Sequence, residues 1–430
     1  MKIILTVGWY FPEQCGGSEV YVAGLARELK KLGWQVLVAA PQDGEGERTY
    51  VHDGIEVYRY PARASAEPLL NWLRQQRPAV AHFHSLTGGL GYRHWRAVQQ
   101  AGFPVYLTFH MPTAFCCRGS MLRWGQRPCD GEVRPWRCTA CYIHSRLCAG
   151  DSVADSAHSS GVLLGGGACP AQPGANAISR LKTLIGLPAA LRQRRAQLQE
   201  MFSRSRRVVA VCEWIRKALL DNGCSAEKLV LSRQGVTEGF ADTGAEKTDA
   251  GIPRLGYLGR LDWGKGDGLL AEAVRSLPSD CRMQVELRGI PGDAPHLQQL
   301  EKLVQGDGRL RLLPPLPTAE VGTWLRSLDA LVVPSRVMET GPLVIYEAWA
   351  AGLPVIGAGH GGIAELVQEG VNGLLFVPGS VSSLAKILRQ VCADPSRLAS
   401  LRKGIGPVRD MREVAEEMDE IYRRVGIDVP

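Results

Sequence analysis

Two glutamates in an otherwise apolar stretch are the first residues whose spacing suggests chemistry. The stretch reads PSRVMETGPLVIYEAWAAGLPVIG, residues 334–357, and seven residues separate Glu339 from Glu347. A buried carboxylate without a partner is costly, so the pattern indicates that both side chains hold something. Carboxylates accept hydrogen bonds from hydroxyl groups, and sugars and ribose are rich in hydroxyls.

The residues around this pair predict the start of a helix. ALVVPS reads as a buried strand, and Pro342 suits the first helical position. Glu347 then lies about one turn into the helix, on the side of Leu343. The free N–H groups at a helix start, here near Gly341, favour an anion. A nucleotide sugar would satisfy both the anion site and the carboxylates, although either glutamate taken alone is better interpreted as solvated.

Two glycine-containing loops strengthen this interpretation. GYLGRLDWGKGDGLL carries Arg260 and Lys265 among glycines, which let a ligand approach the backbone, and the two cations can neutralise a diphosphate. The spacing is not that of a Walker loop. PEQCGGSEVYVAGLA places Gly16 and Gly17 just before a helix, another place for phosphate or sugar oxygens.

Together these three stretches resemble the retaining glycosyltransferases of family four, which have the GT-B fold. The most specific element is the glutamate pair, followed by AWAAGLPVIGAGHGGIAELVQEGVNGLLF. The resemblance covers most of the chain and is weakest over about residues 111–200. It implies a hexosyltransferase-like enzyme that uses a nucleotide diphosphate sugar with retention of configuration. A glycan or polyprenyl-linked acceptor and a role in cell-surface polysaccharide or glycolipid synthesis are the expectations that go with it.

The resemblance also implies a role for each matching residue. Glu339 should contact the hydroxyls of the donor sugar, and His110, which ends the strand-like LTFHM, should line the cleft beside the reacting sugar; these two are the expected catalytic residues. The expected donor-binding residues are Gly16, Gly17, Arg260, Lys265, Gly341, Pro342, Leu343 and Glu347. Pro342 departs from many members and removes one N–H donor, and the role of His360 is left open.

The order of elements predicts two α/β domains. Strand-like segments alternate with helical ones in both halves, which indicates parallel, doubly wound sheets. We expect two Rossmann-like GT-B domains facing across a cleft, with an N-terminal acceptor-side domain at 1–236 and a donor-binding domain at 254–412. A polar, glycine-rich linker is expected at 237–253, and a C-terminal helix at 413–430 is expected to pack back on the first domain.

Composition sets broader limits on the protein. The 430 residues are 45% hydrophobic and carry a net charge of +7, which selects neither nucleic acid nor membrane nor phosphorylated ligands. There is no long uncharged apolar run that would span a membrane. The N-terminal MKIILTVGWYFP is interpreted as a buried strand rather than a signal peptide. The predicted location is the cytoplasm, with peripheral attachment to the inner membrane face.

A cysteine-rich insert at about 111–150 predicts a metal site. Six of the twelve cysteines lie there, and a cytoplasmic cluster of this kind favours metal over disulfides. The predicted zinc ligands are Cys117, Cys129, Cys138 and Cys141, with Cys116 and Cys148 as spares. An iron–sulfur cluster and unmetallated thiols are the alternatives. Interleaved Arg and Trp residues in the insert also suit an anionic membrane surface or a lipid-linked acceptor.

Three classes of function remain open from the sequence alone. The favoured one is the glycosyltransferase, with no catalytic metal, because Asp-x-Asp does not occur in the chain. Another GT-B enzyme, of the phosphorylase or epimerase type, is the second. A zinc-containing nucleic-acid-binding protein is the third and least favoured, since it leaves both α/β domains unexplained; we therefore expect no nucleic-acid partner.

Overall fold

The computed structural model describes residues 1–13, 16–62, 65–148, 177–237, 240 and 251–426. The chain divides into two compact units. Unit 1 comprises Met1–Gln234 and Met411–Pro430, and unit 2 comprises Gly235–Asp410. Most of the expected linker and residues 149–176 lie outside the described residues.

Unit 1 is built on an eight-stranded sheet with the order β10-β9-β6-β5-β1-β2-β4-β3. Its strands are β1 Lys2–Val7, β2 Gln35–Gln42, β3 Arg48–His52, β4 Ile55–Pro61, β5 Val80–His84, β6 Val105–Phe109, β9 Arg207–Ala210 and β10 Leu229–Leu231. All neighbours pair in parallel except β3, which is antiparallel to β4. The carboxyl ends of the parallel strands therefore share one edge.

The helices of unit 1 cover this sheet. They are α1 Gly17–Lys31, α2 Glu67–Gln76, α3 Tyr92–Gln100, α4 Pro135–Cys148, α5 Ala177–Arg204, α6 Glu213–Asp221 and, from the C-terminal end, α14 Met411–Gly426. In α1, Val22, Leu25 and Leu29 are buried at helical spacing. Gly33 follows the end of this helix with φ of 88°. The N-cap is Gly16.

The C-terminal helix α14 is an integral part of unit 1. Tyr422 is fully buried, and its hydroxyl lies 2.6 Å from Nδ1 of His82 on β5. The indole N–H of Trp34 donates to Oδ1 of Asp419 at 2.6 Å. Val414, Ala415 and Met418 share a core with β1 and α1. The chain thus returns to the first sheet after it has completed the second.

Unit 2 is built on a six-stranded sheet with the order β13-β12-β11-β14-β15-β16. Its strands are β11 Arg254–Leu258, β12 Gln284–Arg288, β13 Leu310–Leu313, β14 Ala330–Val333, β15 Val355–Ala358 and β16 Gly373–Phe376, and all pair in parallel. Its helices are α7 Asp267–Arg275, α8 Ala294–Gln305, α9 Thr318–Arg326, α10 Leu343–Ala350, α11 Gly361–Leu366, α12 Val381–Ala393 and α13 Ser396–Lys403. Near-continuous apolar strands such as β14 fit a sheet buried on both faces.

The cysteine-rich insert has regular structure that its sequence did not predict. A short hairpin of β7 Leu122–Arg123 and β8 Arg127–Pro128 precedes helix α4. Arg137 makes two hydrogen bonds to the carboxylate of Asp130, at 2.6 and 2.5 Å, and one to the carbonyl of Glu132 at 2.7 Å. Asn222 then joins the insert to α6, because its side chain bonds the backbone of Gly131 and Val133 at 2.9 Å each.

Among the helices that the structure describes, we find none with the length and apolar character needed to cross a membrane.

Candidate functional site

Three loops meet at one end of the sheet in unit 2. They follow β11, β14 and β15, which are neighbours in the sheet and run parallel. Ligands of such sheets bind at the carboxyl ends of the strands. These loops carry Arg260 and Lys265, then Glu339, then His360, so parallel pairing brings together residues that are far apart in the chain.

Glu339 is the best-anchored acidic side chain in these loops. Its Oε1 accepts a hydrogen bond from Nζ of Lys265 at 2.7 Å and another from Oγ of Ser335 at 2.8 Å. Burial pushes the pKa of Glu339 up, but the charge of Lys265 and the two hydrogen bonds outweigh it and hold the pKa below its ordinary value. Glu339 is therefore an oriented carboxylate, ready to accept hydrogen bonds from hydroxyls.

The loop after β11 is held in shape by Asp262. Its Oδ1 accepts the backbone N–H of Lys265 at 3.0 Å, which caps the short helical turn Trp263–Lys265. Its Oδ2 contacts Nε of Arg260, while the hydroxyl of Tyr257 donates to the carbonyl of Arg260 at 2.6 Å. The side chain of Arg260 is half exposed and that of Lys265 one-third exposed. Both cations are thus positioned yet reachable by an anionic ligand.

Glycines make the close contact of these loops possible. Gly266 has φ of 77°, and a Cβ there would lie 2.0 Å from the carbonyl oxygen of Pro334. Gly361 has φ of 54°, and a Cβ there would lie 2.9 Å from the carbonyl oxygen of Glu339. That same oxygen accepts the N–H of Gly362 at 2.7 Å. The backbone of Glu339 is therefore fixed by one neighbouring loop and its side chain by the other.

Glu347 lies one turn into α10, as the sequence predicts. Its carboxyl group differs from that of Glu339 in both its contacts and its pKa. Among the described residues, no side chain or backbone group makes a hydrogen bond or ion pair with it. Burial raises the pKa of Glu347 to about 7. A partly buried carboxyl without a protein partner is unfavourable, and a ligand hydroxyl would supply the missing hydrogen bond.

The start of α10 differs slightly from the expectation. Pro342 is the N-cap and the helix begins at Leu343, which is buried. Gly341 has φ of 101°, a conformation that favours glycine. The first N–H groups of α10 have no partner within the helix, which keeps this end suited to an anion.

His360 was singled out by the sequence without a role, and the structure connects it to Glu339. It is buried, with its Nε2 3.1 Å from the carbonyl oxygen of Ser335, so Nε2 carries the proton and donates it. Ser335 in turn donates its hydroxyl to Glu339. Neither Ser335 nor this connection was predicted, because the first depends on how the loop after β14 folds on itself and the second on a contact between two loops.

Unit 1 places Gly16 and Gly17 at the start of α1, with a carboxylate beside them. Glu19 is buried and accepts hydrogen bonds from the backbone N–H groups of Gly16 and of itself. Burial raises its pKa to about 7 despite those bonds. Glu19 was not predicted from the sequence, although a glutamate three residues after an N-cap is a recognisable capping pattern.

His110 follows β6 in unit 1 and sits in a buried histidine cluster. Its Nε2 lies 3.1 Å from Nδ1 of His84 on β5, and the ring of Tyr21 packs against it with centroids 4.6 Å apart. Burial lowers the pKa of His110 to about 3, so the ring is neutral. His82 lies beside His84 and bonds Thr108 at 2.8 Å. The alternating HFH of β5 is the signal that could have revealed these two partners.

The structure does not support the predicted zinc site. Among the described residues, no three or more His, Cys, Asp or Glu side chains converge as a metal site would require. Sγ of Cys141 accepts the backbone N–H of Trp124 at 3.2 Å, that of Cys138 lies 3.9 Å from the carbonyl of Glu132, and that of Cys129 lies 3.7 Å from Oδ1 of Asp130.

The four predicted ligands Cys117, Cys129, Cys138 and Cys141 are not joined in disulfides, and an iron–sulfur cluster would need the same convergence that a zinc site needs. Burial raises the pKa of Cys129 and of Cys138, which disfavours the thiolate that a metal binds. The side chain of Cys148 lies outside the described residues. The insert is organised by Arg137 and Asp130 instead of by a metal knuckle.

Comparisons with known families match both units. Residues 16–149 match the family described as "Glycosyl transferase 4-like domain", and residues 252–394 match "Glycosyl transferases group 1". A D-inositol 3-phosphate glycosyltransferase of Catenulispora acidiphila is 35% identical over 34% of this chain and 38% of its own length. The amylovoran biosynthesis glycosyltransferase AmsK of Erwinia amylovora is 28% identical over 46% of this chain and 50% of its own. The chain thus spans half or less of these curated relatives.

Solved structures match over the whole chain at low sequence identity. HepE of Anabaena, solved with UDP and glucose, is 16% identical with a TM-score of 0.66, and covers 99% of this chain and 100% of its own. Sucrose-phosphate synthase of Thermosynechococcus elongatus is 18% identical with a TM-score of 0.71 over 100% of both chains. At these identities the likeness concerns the fold.

Proposed function

Through both of its domains the chain belongs to the GT-B glycosyltransferases, and on that premise we propose that it is a retaining enzyme with a nucleotide diphosphate sugar as donor. The observation that carries this proposal is the ion pair between Lys265 and Glu339. The two residues lie in the loops after β11 and β14, and the loop after β14 leads into the helix that carries Glu347. Glu339 is fixed and ionised beside Lys265, and Glu347 has no hydrogen-bond or ion-pair partner among the described residues. Arg260 lies in the same loop as Lys265. Hydroxyl-rich and doubly phosphorylated ligands fit this set.

The proposed mechanism is chiefly electrostatic. The bond between the anomeric carbon and the diphosphate oxygen breaks, and the diphosphate takes the electron pair. Arg260, Lys265 and the start of α10 stabilise the negative charge that develops. The acceptor hydroxyl attacks from the face that the diphosphate leaves, and its proton passes to a departing phosphate oxygen. Glu339 orients the donor sugar through its hydroxyls, and Glu347 accepts from the ribose.

The proposed acceptor is a glycan or a lipid-linked saccharide, in polysaccharide or inositol-related transfer. The names of the two relatives, an amylovoran biosynthesis glycosyltransferase and a D-inositol 3-phosphate glycosyltransferase, support this range. HepE was solved with UDP, which supports a nucleoside diphosphate donor.

An exposed surface of unit 1 supports docking of a lipid-linked acceptor. Trp136 is 68% exposed and Ile185 is 72% exposed, and the guanidinium of Arg192 lies 5.4 Å from the centroid of the Trp136 ring. Aromatic and basic side chains together suit the interface of an anionic membrane. Co-sedimentation with phosphatidylglycerol vesicles, compared for the wild type and Trp136→Ala, tests this part of the proposal.

The central experiment measures nucleoside diphosphate release from UDP-, GDP- and ADP-sugars, with and without a lipid extract. Release that depends on the extract, accompanied by a product whose anomeric configuration by NMR equals that of the donor, is the expected result. An inverted product would contradict retention. Release of a sugar phosphate instead of a nucleoside diphosphate would favour the phosphorylase alternative.

A further inference from the structure

A polar cavity of about 340 Å³ lies in unit 1, at the carboxyl ends of β1, β2 and β4. Its volume is at the lower end of the range of roughly 300–1,000 Å³ that small-molecule sites occupy. The side chains that define its character are Trp9, Glu13, Gln42, Asp43, Arg48 and Arg59. None of them belongs to the loops of unit 2 described above, and no role has been assigned to them so far.

The charges in this cavity are already balanced. Arg59 is only 2% exposed; it donates to the carbonyl oxygens of Pro41 and Tyr10 at 2.8 Å each and contacts the carboxylate of Glu13. Arg48 donates to Oε1 of Gln42 at 2.7 Å and also pairs with Glu13. A phosphate would have to compete with Glu13 for both guanidinium groups, so the cavity favours a neutral ligand.

Hydrogen-bonding capacity nevertheless remains. The side chain of Glu13 is 44% exposed, so its carboxylate is open to a ligand as well as to the two guanidinium groups. The carboxylates of Glu13 and Asp43 can accept hydrogen bonds from hydroxyls, and the amide of Gln42 can both accept and donate.

Trp9 supplies an aromatic surface to the same cavity. The indole is half buried, and its N–H makes no hydrogen bond to the described residues. Gly88, with φ of 60°, allows the ring to lie against the backbone, since a Cβ there would be 2.7 Å from Cε2 of Trp9. An aromatic face with polar groups around it suits a saccharide ring, which has apolar C–H faces and hydroxyl edges.

We propose that this cavity binds a neutral, hydroxyl-rich ring, a sugar or a cyclitol, as the terminal unit of the acceptor. That the ring is an acceptor rests on the proposed function; that the cavity binds such a ring does not. Trp9 lies against the ring face, Glu13 and Gln42 bind its hydroxyls, and Arg59 holds Glu13 in place.

Saturation-transfer NMR on the full chain tests this site with three probes. Methyl α-D-glucopyranoside and myo-inositol are the neutral rings, and glucose 6-phosphate is the anionic one. We expect saturation transfer to at least one neutral ring, reduced about fivefold or more in Trp9→Ala by the loss of one stacking contact. Trp214→Ala is the matched control, because Trp214 is also a partly buried tryptophan of unit 1, on α6, and lies outside the cavity.

A second variant tests the charge argument without removing the aromatic ring. Glu13→Gln leaves two guanidinium groups without their carboxylate, so binding of glucose 6-phosphate should strengthen about tenfold relative to the neutral rings. Stronger binding of glucose 6-phosphate than of both neutral rings by the wild type would overturn the neutral class of ligand. Equal signals in Trp9→Ala and Trp214→Ala, or no signal from any probe, would overturn the site.

Calorimetric titration with UDP, GDP and ADP in the same variants separates this proposal from the proposed function. We expect nucleotide affinity to be unchanged in Trp9→Ala. If no nucleotide binds while a neutral ring binds through Trp9, the proposed function fails and the cavity assignment stands. If a nucleotide binds and Trp9→Ala loses no ring binding, the cavity assignment fails and the proposed function stands.

Discussion

The ammonium of Lys265 and the carboxylate of Glu339 meet at 2.7 Å, although 74 positions separate them in the chain. They meet because β11 and β14 are parallel neighbours, so the loops at their carboxyl ends begin side by side. The pair keeps Glu339 ionised in a buried place and holds Lys265 at the surface of the loop.

Glu339→Gln should lower turnover strongly. The substitution removes the carboxylate that accepts hydrogen bonds from both Lys265 and Ser335, and loss of one preorganised polar group typically costs on the order of 10²–10³ in kcat. Initial rates of nucleoside diphosphate release at saturating donor are the measurement. Glu320→Gln, on an exposed position of α9, is the control, and unchanged transfer by Glu339→Gln would refute the assigned role.

Glu347 gives a prediction about proton release. Because burial raises its pKa to about 7, a good part of the population is protonated near neutral pH. Ribose hydroxyls would donate to the carboxylate and favour the ionised form, so binding of a nucleoside diphosphate at pH 7 should release protons. Titration calorimetry in buffers of different ionisation enthalpy measures this release. In Glu347→Gln the release should disappear and affinity should fall about tenfold or more.

The same raised pKa predicts how stability depends on pH. The native state keeps the proton of Glu347 up to a pH of about 7, whereas the unfolded chain loses it near 4.5. The contribution of Glu347 to the free energy of unfolding should therefore fall as pH rises from about 4.5 through 7. Glu19, with a pKa also raised to about 7, contributes in the same direction, whereas buried histidines such as His82 and His110, whose pKa is lowered, contribute in the opposite direction. Denaturant titrations at several pH values should show the free energy of unfolding of the wild type falling relative to that of Glu347→Gln between pH 4.5 and 7; a difference that does not change with pH would contradict the assignment.

Much of this site was predictable because strand pairing places loop residues by simple rules. Parallel strands bring their carboxyl ends to one edge, so a glycine loop with Arg260 and Lys265 and a loop with Glu339 were expected to converge. The contacts that depend on the direction of individual side chains were not predicted. Ser335 and His360 connect through a carbonyl, which no residue spacing reveals. Cys138 and Cys141 have the spacing of metal ligands, yet the bond of Arg137 to Asp130 fixes the insert in another way.

Gly266 provides a test of loop packing. Alanine there would combine a left-handed backbone with a Cβ 2.0 Å from the carbonyl oxygen of Pro334. Strain of this kind costs on the order of 1–3 kcal/mol before any displacement of the loop. Gly266→Ala should lower the melting temperature by several degrees, whereas Gly308→Ala, with nothing within 4 Å of its Cβ, should not. Similar shifts in the two variants would argue against the loop contact.

The insert should owe its stability to an ion pair and not to a metal. We expect EDTA to leave the melting temperature unchanged. Arg137→Ala, which removes the bonds to Asp130 and to the carbonyl of Glu132, should lower it. Arg134→Ala is the control, since the side chain of Arg134 pairs with Glu132 and is 55% exposed, compared with 20% for that of Arg137. A fall in melting temperature with EDTA, reversed by zinc, would restore the metal site that the cysteine spacing predicts.

His110 should stay neutral throughout the working pH range. Burial lowers its pKa to about 3, and the same cause lowers the pKa of His82 to about 3. His296 is the internal control, because its hydrogen bond to Asp267 raises its pKa above the ordinary value. In ¹H–¹³C NMR spectra from pH 5 to 8, the ring signals of His110 should not move and those of His296 should titrate. A titrating His110 would mean that its ring is reached by water, and that a proton-transfer role must be considered in place of a neutral hydrogen-bonding one.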